Sequence, residues 1–247
     1  MLQIIKSLSG VSKMKKIKLF CIPYAGGSSE IYSNWGKYLH PSIELHPVEL
    51  AGRGKRWQIP LYKDFNDVVN DVYEAVKDEI IGSKYAFFGH SMGSLIIYEL
   101  THKIRQLHQK EPIHMFLSGR YAPNIKKNKI MMHRLPGEDL KKEILKLGGI
   151  PDHMIYHQKF LNIFLQRIRE DIKTVETYNY IEKKELDCNI TVLCGREDKL
   201  TIGDVCEWRK HTRRKCEVYI LEGNHFFIHE NEEPTVRIVR DTLLSYL

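Results

Sequence analysis

No apolar run in this chain approaches the roughly 18 residues that a membrane-spanning helix needs, so no such helix is expected. Cysteine is sparse and without pattern. Cys21, Cys188, Cys194, Cys206 and Cys216 contain no C-x-x-C, and their odd number argues for reduced, mostly buried thiols over a disulfide framework. The pairs His153/His157 and His225/His229 have helical spacing but lack the acidic residue of H-E-x-x-H, so no metal site is expected. Internal repeats, low-complexity tracts and basic runs interleaved with aromatics are all missing, which removes the usual grounds for a nucleic-acid binder. The short apolar stretch after Lys18 runs into Pro23-Tyr24-Ala25-Gly26-Gly27 where a secretory signal would carry a small-residue cleavage site. A cytoplasmic protein is therefore expected, with residues 1–13 a loosely held extension and Met14 a possible alternative start.

What remains is the composition of a globular protein, 43% hydrophobic and 28% charged over 247 residues, enough for one large domain with an inserted subdomain. Strand-like runs recur at Ile17–Ile22, Ile43–Leu50, Tyr85–Phe88, His114–Leu117, Asn189–Cys194 and Glu217–Leu221. Between the second and third, Phe65, Val68, Val69, Val72, Tyr73, Val76 and Ile80 fall on one face of a helix of about four turns. Ser94–Gln106 and Glu232–Leu247 read as further helices. This alternation predicts an α/β fold: a mostly parallel sheet with helices on both faces. The rhythm breaks over residues 121–185, where helical stretches at Gly137–Leu147 and Met154–Thr177 flank Gly148-Gly149-Ile150-Pro151 and no strand is evident. We expect a core of residues 14–120 and 186–247, with residues 121–185 forming a helical lid over the strands' C-terminal ends. The formal net charge is +7, and the excess is densest in residues 120–185, which hold 14 basic and 9 acidic side chains. That is either a solvated helical surface or a face for an acidic macromolecule.

The chemistry centres on Gly89-His90-Ser91-Met92-Gly93, a G-x-S-x-G pentapeptide between an apolar strand and an apolar-periodic helix. A serine on such a turn is forced outward, and the flanking glycines have no Cβ to obstruct the closing elements. A serine hydroxyl is a poor nucleophile without a base, and the base needs an orienting acid. Asp198 and His225 each follow a late strand, in the chain order this architecture requires. Glu197 competes with Asp198 for the acid role, and His229 reads as a packing or surface residue. The oxyanion needs two donors. One is the backbone N–H of Met92; the other comes from the glycine-rich loop after the first strand, Ala25 or a neighbour. That loop lacks the Lys-Ser/Thr ending of a phosphate loop and does not fit G-x-G-x-x-G. Arg53 and Arg56 follow the second strand; they either rim the surface or hold an anionic group near the pocket mouth.

These residues resemble the stand-alone type II thioesterases of non-ribosomal peptide and polyketide synthesis, which have the α/β-hydrolase fold. The similarity runs from Lys15 onward through Pro-Tyr-Ala-Gly-Gly-Ser (23–28), Leu-Ala-Gly-Arg-Gly-Lys-Arg (50–56), Phe-Phe-Gly-His-Ser-Met-Gly-Ser (87–94), Leu-Gly-Gly-Ile-Pro (147–151), Gly-Arg-Glu-Asp (195–198) and Gly-Asn-His-Phe-Phe (223–227). Ala51, Gly54 and Lys199 depart from the residues usual in the family. The resemblance puts the triad acid three residues after Gly195, at Asp198. It implies hydrolysis of acyl or aminoacyl thioesters from the phosphopantetheine arm of a carrier protein, with no cofactor of the enzyme's own. Carriers of this class are commonly acidic, which fits the basic excess of the insertion, and Lys126, Lys127, Lys129, Lys141 and Lys142 are expected to help dock one. A monomer is expected. A general carboxylesterase or lipase is the alternative enzyme, and an inactive hydrolase fold used for binding is a third reading.

Overall fold

The computed structural model describes residues 16–126, 130–149 and 158–247. The expected extension, residues 1–13, lies outside them. Six parallel strands form one sheet: β1 (Ile17–Ile22), β2 (Ile43–Pro47), β3 (Lys84–His90), β4 (His114–Ser118), β5 (Asn189–Gly195) and β6 (Cys216–Leu221). Their spatial order is β2-β1-β3-β4-β5-β6. β2 stops short of the expected Leu50. Proline has no N–H to continue the ladder, and Pro47 is the last residue paired with β1.

Strand side chains alternate between two apolar layers, as a period of two requires. Phe20 and Ile22 join one layer with α1 (Phe65–Ile80) and α2 (Met92–Gln106). Ile17, Leu19 and Cys21 join the other, which contains Tyr32, Trp35 and the face Val236, Val239 and Leu243 of the C-terminal helix Glu232–Leu244. α1 has the expected boundaries. Asp64 caps it by accepting from Asp67 N–H at 3.0 Å, and Phe65, Val68, Val69, Val72, Val76 and Ile80 are its buried stripe. Every crossover returns the chain to the same edge of the sheet, so the loops after the strands' C-terminal ends gather there.

Between β4 and β5 the described residues contain α3 (Gly137–Lys146) and α4 (Gln158–Glu176) and no strand. Leu140 and Ile144 of α3 meet Leu161, Phe164 and Ile168 of α4 in a third, smaller apolar cluster, against which Ala25 packs. No helix among the described residues is long and apolar enough to cross a membrane.

Candidate active site

Ser91 is the residue between β3 and α2, with φ 53° and ψ −107°. An L-residue rarely adopts positive φ unless its surroundings impose it. Here they do. Ser91 N–H donates to the Ser118 carbonyl at 2.7 Å, and the Ser94 hydroxyl donates to the carbonyls of Gly89 (2.7 Å) and Ser118 (2.9 Å). A Cβ on Gly93 would stand 2.2 Å from the Ile22 carbonyl oxygen, and one on Gly89 2.3 Å from the Gly93 carbonyl carbon. Both glycines are required for β3, α2 and β1 to close around the turn.

The loops after β5 and β6 bring the partners. His225 Nε2 lies 3.0 Å from Ser91 Oγ, and His225 Nδ1 lies 2.9 Å from Asp198 Oδ2. Asp198 is 2% exposed. Burial alone would raise its carboxyl pKa. The hydrogen bond from His225 and those from Thr201 Oγ1 (2.7 Å) and Leu200 N–H (3.0 Å) outweigh burial and hold it below the ordinary value. A carboxylate there fixes the proton of a neutral His225 on Nδ1 and leaves the Nε2 lone pair for the Ser91 hydroxyl. Glu197, the alternative acid, is exposed and makes no side-chain hydrogen bond among the described residues.

These groups open into a cavity of about 500 Å³, with Ala25, Ser91, Met92 and His225 in its lining. Ile125, Ile130, Met132, Ile144, Ile168 and Val175 supply much of its apolar wall. A larger depression of about 780 Å³ lies around Lys183, Lys184 and Arg213 and contains the ion pairs Arg105–Glu111 and Arg213–Asp187. It contains neither Ser91 nor His225, and it is more open than the apolar cavity.

The thioesterase domain family matches residues 17–243. The chain belongs to that family. The linear gramicidin dehydrogenase LgrE of Brevibacillus parabrevis is 35% identical over 236 residues, 94% of this chain and 89% of the relative. The medium-chain S-acyl fatty acid synthase thioesterase of Rattus norvegicus is 33% identical over 215 residues, 85% of this chain and 81% of the relative. The crystal structure of ClbQ, from the colibactin NRPS/PKS pathway, aligns at TM-score 0.89 and 34% identity, covering 93% of this chain and 98% of that one. The fold is that of an α/β-hydrolase thioesterase.

Within this thioesterase the structure corrects the expectation for Arg53 and Arg56. Neither lines the cavity, and both are held by protein acceptors. Arg53 is fully buried and forms a bidentate pair with Asp171 of α4, Nη1 to Oδ2 at 2.7 Å and Nη2 to Oδ1 at 2.8 Å. It also donates to the carbonyls of Gly27 and Ala51 at 3.1 Å each. Arg56 pairs with both oxygens of Asp71, at 2.7 and 2.6 Å, and with the Glu49 carbonyl at 2.9 Å. A charged residue after a strand looks like rim in the sequence; here the acids that claim these two lie on helices.

Asp171 is the residue that sequence reasoning missed. Its Oδ2 also accepts Gly26 N–H at 2.7 Å, and Gly27 N–H donates to the Tyr24 carbonyl at 2.9 Å. Of the loop's three successive N–H groups, only that of Ala25 is left without an acceptor among the described residues. Thr201 was also missed, although its place three residues after Asp198 is a legible local signal. His90 packs beneath the site with its ring 5.4 Å from that of His225; burial pushes its pKa far below the ordinary value, so it is neutral. His229 accepts or donates a hydrogen bond with the Tyr24 hydroxyl at 2.9 Å and stacks on Phe226, a packing role.

Proposed function

We propose that this protein hydrolyses acyl thioesters carried on the phosphopantetheine arm of carrier proteins, clearing stalled or misprimed groups from a synthetase. The observation that supports it best is the unbroken chain from Ser91 Oγ through the His225 ring to Asp198, at the end of an apolar cavity in a thioesterase-family chain.

Ser91 Oγ attacks the thioester carbonyl carbon while His225 Nε2 takes its proton. The resulting oxyanion accepts from the N–H groups of Met92 and Ala25. Collapse breaks the C–S bond, and the imidazolium returns the proton to the departing thiolate. Water then attacks the acyl-Ser91 ester, giving a proton to Nε2; the acid leaves and Ser91 is restored. Asp198 stabilises the imidazolium in both halves. Side chains, backbone amides and water supply every group in this scheme.

The dehydrogenase in the name of LgrE is not the reading favoured here, because the turn after β1 is Pro-Tyr-Ala-Gly-Gly-Ser (23–28) and does not fit the G-x-G-x-x-G of dinucleotide sites. The carrier is taken to dock as an acidic partner of a cytoplasmic monomer. The proposed lysine face needs revision. Lys141 and Lys142 face Glu138 and Asp139 one turn away, and α3 holds three acids against three lysines, so its field is nearly balanced. Lys126 is exposed beside the cavity, whereas Lys127 and Lys129 lie outside the described residues.

The test is hydrolysis of acyl groups from a loaded carrier by purified protein, side by side with p-nitrophenyl esters. Wild type should favour the carrier thioester, and Ser91→Ala should lose several orders of magnitude of turnover. Preference for the free esters would favour the carboxylesterase reading. Turnover retained in Ser91→Ala would remove Ser91 from the mechanism, and failure of a fluorophosphonate to label it would point to an inactive fold.

A further inference from the structure

Among the described residues, one cation of the cavity wall has a head-group nitrogen sealed from water and left without an acceptor. Arg120 comes from the loop immediately after β4 and lines the same cavity as Ser91 and His225. Its backbone is fixed on both sides. Gly119, with φ +61°, donates its N–H to the Leu193 carbonyl at 2.9 Å, and the Arg120 carbonyl accepts from Trp208 Nε1 at 2.8 Å. Its guanidinium lies 4.8 Å from the ring centre of Tyr121. Nε is sealed from solvent and donates to nothing, and no carboxylate pairs with the head group among the described residues. The acids of the cavity wall are already committed. Glu176 accepts from His133 Nδ1 (2.5 Å) and from the N–H groups of Met132 (2.8 Å) and His133 (3.1 Å), and Glu143 pairs with Lys146 at 2.5 Å.

Arg53 and Arg56 show what this fold does with an arginine it uses for structure: each receives a bidentate carboxylate. Arg120 receives none. The Arg120 side chain is half-buried, but an Nε cut off from water and left unpaired is costly, and desolvation lowers the pKa of the group from its ordinary value. An anionic group on a ligand would satisfy it with a charge-assisted hydrogen bond.

We propose that Arg120 selects the acyl group, pairing with a carboxylate that the acyl chain itself carries, so that the preferred substrates are carboxyacyl thioesters over plain alkanoyl ones. This rests on the thioesterase reading above and narrows its substrate class. An aminoacyl group is disfavoured by the same argument, because its ammonium would enter a cavity already holding an unpaired positive charge.

The experiment measures kcat/KM for N-acetylcysteamine thioesters in isosteric pairs, succinyl to adipoyl against the alkanoyl groups of matching length. A charge-assisted, bidentate contact of this kind is worth roughly ten- to hundred-fold. Arg120→Met should cut the carboxyacyl-to-alkanoyl ratio by about that factor at the best-fitting length. Alkanoyl turnover should fall by less than that factor, and Arg120→Lys should recover part of the ratio. Fluorophosphonate labelling of Ser91 at the wild-type rate certifies that the variant is folded. Wild type supplies an independent reading: the free dicarboxylate should inhibit more strongly than the alkanoate of equal length. A ratio unchanged at every length, an equal loss on both series, or equal inhibition by the two acids would overturn the assignment. So would an effect confined to phosphopantetheine over pantetheine thioesters, which would make Arg120 a reader of the arm's phosphate. Absence of turnover on every thioester, carrier-bound ones included, would instead overturn the thioesterase reading itself.

Discussion

Ser91 holds a backbone conformation that costs an L-residue on the order of 1–3 kcal/mol, and the atoms that enforce it are few. Gly93 is the tightest of them. Gly93→Ala would put a methyl 2.2 Å from the Ile22 carbonyl oxygen, so β1 and α2 would have to part. The expected outcome is a large fall in thermal midpoint or no folded protein, read by circular dichroism. Asp198→Asn is the complementary change, nearly isosteric but with an amide that no longer fixes the His225 proton on Nδ1. By analogy with other Ser-His-Asp hydrolases, kcat should fall about 10⁴-fold with the fold intact. The same pair reports on linkage. The Asp198 carboxyl is held below its ordinary value, so its contribution to stability is complete above about pH 4 and is lost as pH falls through the lower folded value. The difference in urea midpoint between wild type and Asp198→Asn should be constant near neutrality and narrow in acid.

At the scale of elements, the contact between α4 and the loop after β1 runs through one buried ion pair. Asp171→Ala leaves Arg53 fully buried without an anion and should cost about 3–5 kcal/mol. Replacing both, as Arg53→Met/Asp171→Leu, should restore most of that stability while leaving Gly26 N–H unanchored. If the loop's geometry matters for turnover, the double variant will show reduced kcat with KM little changed; equal kcat in a folded double variant would refute it. This pair also marks the limit of what the chain discloses in one dimension. α1 and the strands were legible because their apolar residues repeat at 3.6 or 2.0. Ser91 and His225 could be singled out because each lies on a loop just past a strand, whereas the choice of Asp198 over Glu197 leaned on the family resemblance. Arg53 and Asp171 stand 118 residues apart on elements whose packing is set by neither local pattern. Arg120 escaped notice for a related reason, since what distinguishes it is a missing partner.

The whole molecule carries a set of histidines buried as neutral rings. Burial lowers the pKa of His102 and His114 to about 3 and of His211 to about 4. His114 is held between the hydroxyls of Thr191 (2.8 Å) and Tyr246 (3.0 Å), and His211 between Asn124 Oδ1 (2.8 Å) and the Tyr98 hydroxyl (3.0 Å). Unfolding releases each to protonate near its ordinary value, about 6.5. With the folded pKa depressed, the unfolded state binds more protons below that value, so stability falls as pH drops from 7 toward 4, by up to ~1.4 kcal/mol per pH unit for each group. Urea midpoints measured from pH 7.5 to 5 should decline, and His114→Gln should flatten the decline; a pH-independent midpoint would contradict it.

Asp171 anchors Gly26 from α4, the helix whose Ile168, Ile172 and Val175 line the cavity. A helix with both duties cannot lift away to admit a bulky guest and keep the loop beneath it in order. Parting α4 from the sheet would take the Gly26 acceptor with it and loosen the loop that carries the Ala25 amide.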